Sequence, residues 1–426
     1  MHINSFVRYL KDDRTVIGFS FLLLIFSILI QFICFNEALF FRDVFNGDES
    51  EYHEAIENSA SLYELLFSGS LPYLVPSYIF HKLFDVTFPN RYISLLSFVF
   101  ISIYVFRNIR LYIRGHRLVF FGLIFVFVLI SLRQMFIGTS DFLATVLCFI
   151  GLVEFDKIKF MMIKTKNYIY GLMSSGLFLG LSVMTRPTVI ICIIIFIITY
   201  NILQKQYSFI KTSLFVTIFT LLVVFTLSIP NISVGNGVKL DIKNIPSNVS
   251  TSWFEMNYLM AVHWNDGTLS RDKWYSAEDV VQFKKENTDF YFPSNHFDIL
   301  LNNPTLYFKV LPIELARGLY SVILYSAGLI FCYFSISYGR FKSLVDAKMA
   351  KECVYLIFSC IVLILIFSFL SVKLFEFRWI HVFYLLLLYK VIIYILKHMV
   401  NKYSVFLFIS TYCICFTIYT YVRLFC

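Results

Sequence analysis

Val16-Ile17-Gly18-Phe19-Ser20-Phe21-Leu22-Leu23-Leu24-Ile25-Phe26-Ser27-Ile28-Leu29-Ile30-Gln31-Phe32-Ile33-Cys34-Phe35 runs without a single charged side chain. A helix needs about 20 predominantly apolar residues to cross the hydrocarbon core of a bilayer, so this stretch reads as a membrane span. No small-residue cleavage site follows it and further apolar runs do, which separates it from a cleavable leader. Residues 190–200, 214–229 and 354–372 repeat the pattern. Across the 426 residues, 59% are hydrophobic and 15% charged, and the mean hydropathy is +0.75. That excludes one soluble domain and predicts an all-α, multi-pass membrane protein; unbroken apolar runs also exclude a β-barrel, whose strands alternate.

The net charge of +9 is distributed in short clusters between apolar runs, not along one surface, so it predicts membrane topology and no nucleic-acid partner. Arg8, Lys11 and Arg14 place the N-terminus in the cytoplasm. Five more clusters belong on the same side: Arg107 to Arg117, Lys157 to Lys166, Lys205 and Lys211, Arg340 to Lys351, and Lys397 with Lys402. Keeping the arginines of 107–117 inside requires that residues 71–88 do not span. They are expected to form an interfacial or re-entrant helix on the outer face, interrupted by Pro72 and Pro76. About eleven spans follow, at 16–36, 90–107, 118–133, 141–155, 168–185, 187–204, 211–229, 313–338, 353–372, 378–396 and 404–423.

The organisation is therefore a single polytopic domain over residues 1–426 with two large outer segments. Residues 36–90 are acidic, with Asp43, Asp48, Glu49, Glu51, Glu54, Glu57 and Glu64 and no Lys or Arg between Arg42 and Lys82. Residues 230–305 are polar, carry Trp253, Trp264 and Trp274, and should open a helix at Ser276, with Asp279 answering the cap. The cysteines lie in or beside expected spans and imply no disulfide framework, and no Cys/His spacing suggests zinc. There is no phosphate-binding glycine loop to drive a pump.

This topology gathers Asp48, Glu49, Asp141, Arg186, Lys373, Glu376 and Arg378 at the outer face from more than three hundred positions of sequence. Adjacent carboxylates beside a bilayer carry a desolvation cost that a plain loop avoids. Each residue also has a purely structural reading. Asp48 can cap a helix with Glu51 as its partner, Asp141 can be a cap, and Arg186 and Arg378 can snorkel to the interface. His53, His81 and His263 read as loop hydrogen-bonders, and the tryptophans as interfacial anchors.

The order of these pieces resembles the GT-C superfamily of polytopic glycosyltransferases, which includes the protein O-mannosyltransferases and the aminoarabinose transferases. The resemblance rests on Gly47-Asp48-Glu49-Ser50-Glu51-Tyr52, Leu71-Pro72-Tyr73, Ser140-Asp141-Phe142-Leu143, the glycine-rich stretch from Gly176 to Arg186-Pro187, Asn303-Pro304, and Phe377-Arg378-Trp379. It implies a GT-C-like fold and transfer of a sugar from a polyprenyl-phosphate donor to a glycan, lipid or protein acceptor, at the outer face of a bacterial inner membrane. A phosphate leaves as a stable anion and needs cations, for which Arg378 and Arg186 are the candidates. The acceptor hydroxyl needs a base, for which Asp48 is the candidate, attacking with inversion. Glu49 and Asp141 would orient the acceptor or, with Asp48, hold a divalent cation. Two alternatives stand beside this reading. One is a polysaccharide polymerase acting on lipid pyrophosphate-linked glycans. The other is a lipid-linked oligosaccharide flippase, which needs charges deep within spans; the sequence offers few.

Overall fold

The computed structural model describes residues 13–33, 49–132, 137–158, 166–204, 207–235, 237–240, 251–270, 275–338, 344–370, 377–398 and 404–425. Among them the chain is all-α, 84% helical with no strand. The helices are α1 (Asp13–Ile30), α2 (Glu49–Glu57), α3 (Leu62–Leu65), α4 (Leu71–Phe84), α5 (Pro89–Ile109), α6 (His116–Ser131), α7 (Ser140–Ile158), α8 (Lys166–Thr185) and α9 (Val189–Gln204). They continue with α10 (Tyr207–Ser233), α11 (Trp253–Asp266), α12 (Ala277–Glu286), α13 (His296–Asn302), α14 (Pro304–Tyr338), α15 (Leu344–Leu370), a 3-10 turn (Phe377–Ile380), α16 (His381–His398) and α17 (Ser404–Phe425).

Among the described residues, five segments are long and apolar enough to cross a membrane: Val16–Ile33, Pro89–Ile109, Lys166–Thr185, Ile210–Ser233 and Lys351–Leu370. Apolar stretches of α6, α9, α16 and α17 are shorter. Helix α7 carries Asp141, Glu154, Asp156 and Lys157, which separates it from the apolar class although it lies where a span is expected. Helices α1 and α10 turn Leu22, Phe26, Leu221, Leu222 and Phe225 outward, large apolar side chains that no protein covers and that a bilayer would solvate.

The chain forms two compact units. The first holds residues 1–242, 324–357 and 381–426. Within it α7 packs on α8 and α8 on α10, while α1 packs on α17. The glycines of α8 explain the close approach. A Cβ on Gly176 would collide with Phe219, and one on Gly180 would come within 2.6 Å of Val223, both on α10. Gly176 and Gly180 are thus a small-xxx-small seam. Helix α16 is central: Val382 to Leu388 and Val391 to Leu396 are buried throughout.

Two expectations change at this level. Residues 71–84 form one continuous helix: Pro72 sits in the first turn, where its missing N–H costs nothing, and Pro76 is accommodated inside the helix. Helix α7 begins at Ser140, so Asp141 lies in the first turn instead of capping it.

The second unit holds residues 243–323 and 358–380. Its helix α12 starts where the sequence indicates, with a full capping box between Ser276 and Asp279, and α11 has another between Ser252 and Glu255. Two small cores hold it together. One joins Tyr258, Ala261, Ile299, Leu306, Tyr307 and Val310; the other joins Met256, Leu259, Met260 and Val280.

Candidate active site

Glu49 opens α2, and its carboxylate is 1% exposed. Arg91, near the start of α5 and equally buried, donates from Nε to Glu49 Oε1 at 2.6 Å and from Nη2 to Oε2 at 3.3 Å. Both oxygens are thus gripped by one guanidinium fork, the geometry that makes such pairs strong. The Arg91 guanidinium also lies 3.9 Å from the centre of the Phe88 ring. Glutamate in the first turn of α2 suits the positive end of that helix; arginine in the first turn of α5 does not, and Glu49 offsets it.

Three residues further along α2, Tyr52 is fully buried. Its hydroxyl lies 2.5 Å from Ser140 Oγ and accepts from Arg186 Nη1 at 3.3 Å. Arg186 Nε is 3.3 Å from Asp141 Oδ1, with both side chains under a tenth exposed. The Tyr52 ring meets Tyr73 edge to face, and the Tyr73 hydroxyl donates to the carbonyl of Asn90. Burial, first of all, pushes the Tyr73 phenol well above its ordinary pKa, so it remains a neutral donor at physiological pH. Gly138 closes the arrangement: a Cβ there would overlap Glu49 Oε1 and lie 3.1 Å from Asn90 Cβ. Among the described residues, Asn90 Oδ1 and Thr139 Oγ1 are buried here without a hydrogen bond.

Four segments far apart in sequence therefore meet in the first unit: the start of α2, the start of α5, the residues entering α7 and the end of α8. Of the residues singled out from the sequence, Glu49, Asp141 and Arg186 come together. Asp48, Lys373 and Glu376 lie outside the described residues, and Arg378 is half-buried in the 3-10 turn of the second unit. The histidines make local contacts. His53 pairs with Glu57 at 2.9 Å, His81 Nδ1 lies 2.9 Å from the carbonyl of Val86, and His263 Nδ1 lies 2.8 Å from the Tyr275 hydroxyl. The two described carboxylates do not fit a resident divalent cation. Each already faces a guanidinium, and a cation between them would be repelled by both.

Sequence reasoning missed Arg91, although the signal was present: it is the first cation after Lys82 and stands at the mouth of an apolar run. It also missed a second charged group. At the far end of α7, Asp156 pairs with Lys390 of α16 and accepts a hydrogen bond from the Tyr200 hydroxyl of α9. Glu352 Oε2 of α15 lies 3.5 Å from the same Lys390 Nζ. These groups, with Thr199 and Tyr355, line a cavity of about 20 Å³, room for about one water. Next to Asp156 in sequence, Lys157 Nζ donates to Glu154 Oε1 and Asn108 Oδ1, each at 2.6 Å, and Tyr104 donates to Glu154 at 2.5 Å.

Compared with protein-family models, curated proteins and solved structures, the chain matches none.

Proposed function

We propose that the protein is a GT-C-like membrane glycosyltransferase of about eleven spans, moving a sugar from a polyprenyl-phosphate donor to an acceptor at the outer face of a bacterial inner membrane. The observation that carries this reading is the buried pairing of Glu49 with Arg91 and of Asp141 with Arg186, joined through Tyr52 and Ser140. Burying four charges is expensive, and packed apolar residues would give as much stability or more. A chain that retains them next to the acidic loop is using them to hold geometry.

In this reading Asp48 is the base that takes the proton from the acceptor hydroxyl, and no general acid is needed because the lipid phosphate departs as an anion. Glu49, clamped by Arg91, and Asp141, clamped by Arg186, hold the first turns of α2 and α7 in place. Arg378 meets the donor phosphate with its planar fork. Arg186 is the second cation proposed for the donor phosphate.

Membranes containing the protein should consume a radiolabelled polyprenyl-phosphate monosaccharide. Arg378→Ala should weaken donor use severely and Arg378→Lys should restore only part, because an ammonium cannot reproduce two-pronged contact with phosphate oxygens. Unchanged donor affinity in Arg378→Ala would remove that assignment, and no consumption by the wild type would remove the reading.

One observation favours a second reading. Asp156, Lys390 and Glu352 form a buried charged group of the kind a flippase or transporter would use. Transbilayer movement of a fluorescent polyprenyl-phosphate lipid in proteoliposomes, without consumption of its sugar, would select it.

A further inference from the structure

In the second unit, the end of α11 and the junction of α13 with α14 enclose an open cavity of about 170 Å³. Asn265, Asp266, Asn303, Thr305 and Lys309 supply polar groups to it, and Val262 and Leu306 supply an apolar wall. Gly267, at φ 81°, ends α11 in the left-handed conformation that glycine adopts without strain, turning the chain away just past Asn265 and Asp266.

The hydrogen bonds already made leave a defined set of groups unused. Asn265 Nδ2 donates to the carbonyl of Ala261, which leaves Oδ1 and one N–H. The Asp266 carboxylate accepts from the Thr268 amide at Oδ1 and from the Thr268 side chain, and it has further lone pairs beyond these. The bonds from Thr268 also hold the Asp266 carboxyl below its ordinary pKa, so it is an acceptor at neutral pH. Asn303 Nδ2 donates to the Tyr258 hydroxyl and its Oδ1 accepts from Thr305, so Asn303 keeps one N–H. Among the described residues, Lys309 has neither an ion pair nor a hydrogen-bond partner, and its side chain is exposed.

This combination excludes most ligand classes. Asp266 and Lys309 offset each other's charge, so the cavity favours neither a phosphate nor a metal ion over a neutral ligand. A lipid chain would strand the amides, since buried polar groups need partners. What fits is a small ring carrying several hydroxyls, each able to donate and accept, with a C–H face for Val262 and Leu306. We infer that this cavity is a pyranose subsite, and that it holds a sugar unit of the acceptor. Naming the acceptor a glycan rests on the transferase reading above; the subsite itself does not.

The full-length protein in lipid nanodiscs would be tested by saturation-transfer NMR against methyl glucopyranoside, methyl mannopyranoside, methyl galactopyranoside and methyl N-acetylglucosaminide, with glycine as a zwitterion control. At least one glycoside should receive saturation. The signal should fall at least tenfold in Asn265→Leu and in Lys309→Met; Lys309 is exposed and unpaired, so the second variant should fold normally. Transfer to no glycoside, transfer to glycine instead, or an undiminished signal in Lys309→Met would each overturn the subsite. The same preparations are assayed for donor consumption. Consumption without glycoside binding overturns the subsite and leaves the transferase standing; glycoside binding without consumption supports the subsite and overturns the transferase.

Discussion

The two ends of α7 use buried charge in different ways. At its start, Asp141 and the neighbouring Glu49 each face one arginine. At its end, about 22 Å along the helix axis from Asp141 at 1.5 Å per residue, Asp156 and Glu352 converge on a single lysine. Arginine keeps its proton in any protein environment; Arg91 grips Glu49 with two bonds and Arg186 divides its guanidinium between Asp141 and Tyr52, so the first arrangement is a pair of fixed braces. Lysine is a compact point charge on a flexible stem, here shared between two carboxylates, so the second is a node with room to change. The packing agrees. Around the braces Gly138 leaves no space for even a methyl group, whereas the node borders a cavity. The braces suit a site that must be held still; the node suits a joint among α7, α9, α15 and α16.

The hardest test of that contrast is Lys390→Met. If the node is a joint, the variant leaves carboxylates buried without their ammonium and should lose about 3–5 kcal/mol of stability, as breaking one side of a buried pair does. Adding Asp156→Leu and Glu352→Leu should recover most of it, since an apolar replacement of a whole buried ion group is often neutral or better. Unfolding midpoints in detergent, with specific activity per folded molecule, separate the outcomes. A Lys390→Met protein that is stable yet inactive would make the node a working site and favour transport.

The braces make the opposite forecast at Asp48. Asparagine caps a helix about as well as aspartate but takes no proton at neutral pH. Asp48→Asn should keep wild-type stability and lose transfer by about 10²-fold or more, the contribution of a general base. Near-normal turnover would reduce Asp48 to a cap and move the search for the base elsewhere.

Gly138→Ala tests whether the braces tolerate displacement. The new methyl must push Glu49 or Asn90 aside, and overpacking of this kind costs about 1–3 kcal/mol. Activity should fall further than stability, because Glu49 adjoins Asp48 in sequence. Equal activity at wild-type stability would show that the clamp on Glu49 is loose.

Much of the fold was legible in the sequence because spans are written as long apolar runs. Among the described residues each of the eleven expected spans overlaps a helix, and five of these segments are long and apolar enough to cross a membrane. The capping box at Ser276 was legible because it is a local rule between residues three apart. The candidate site was legible only by halves. Glu49, Asp141 and Arg186 announce themselves as charges at span ends, but their partners are set by packing over 42 and 45 positions of sequence, which no local pattern encodes. Arg91 looks like any interfacial cation until Glu49 is placed against it. The node stayed hidden for a related reason. Asp156 and Glu352 fall one residue outside the apolar windows and read as ends, whereas the helices run on through both.

The smallest expected effect asks how the two braces communicate. Tyr52 touches both pairs: its hydroxyl meets Ser140 and Arg186, and its backbone belongs to the helix that Glu49 begins. Tyr52→Phe keeps the ring against Tyr73 and deletes only the oxygen, so the packing energy stays. The loss should be about 1 kcal/mol, the net worth of a buried hydrogen bond, and somewhat more if water cannot reach Ser140. In an Arg186→Met background the same substitution should cost less, since one of the two partners is already gone. That non-additivity in a double-mutant cycle is the signature of direct coupling. Strict additivity would mean that Glu49–Arg91 and Asp141–Arg186 act as separate braces, and that the tyrosine between them serves only to fill space.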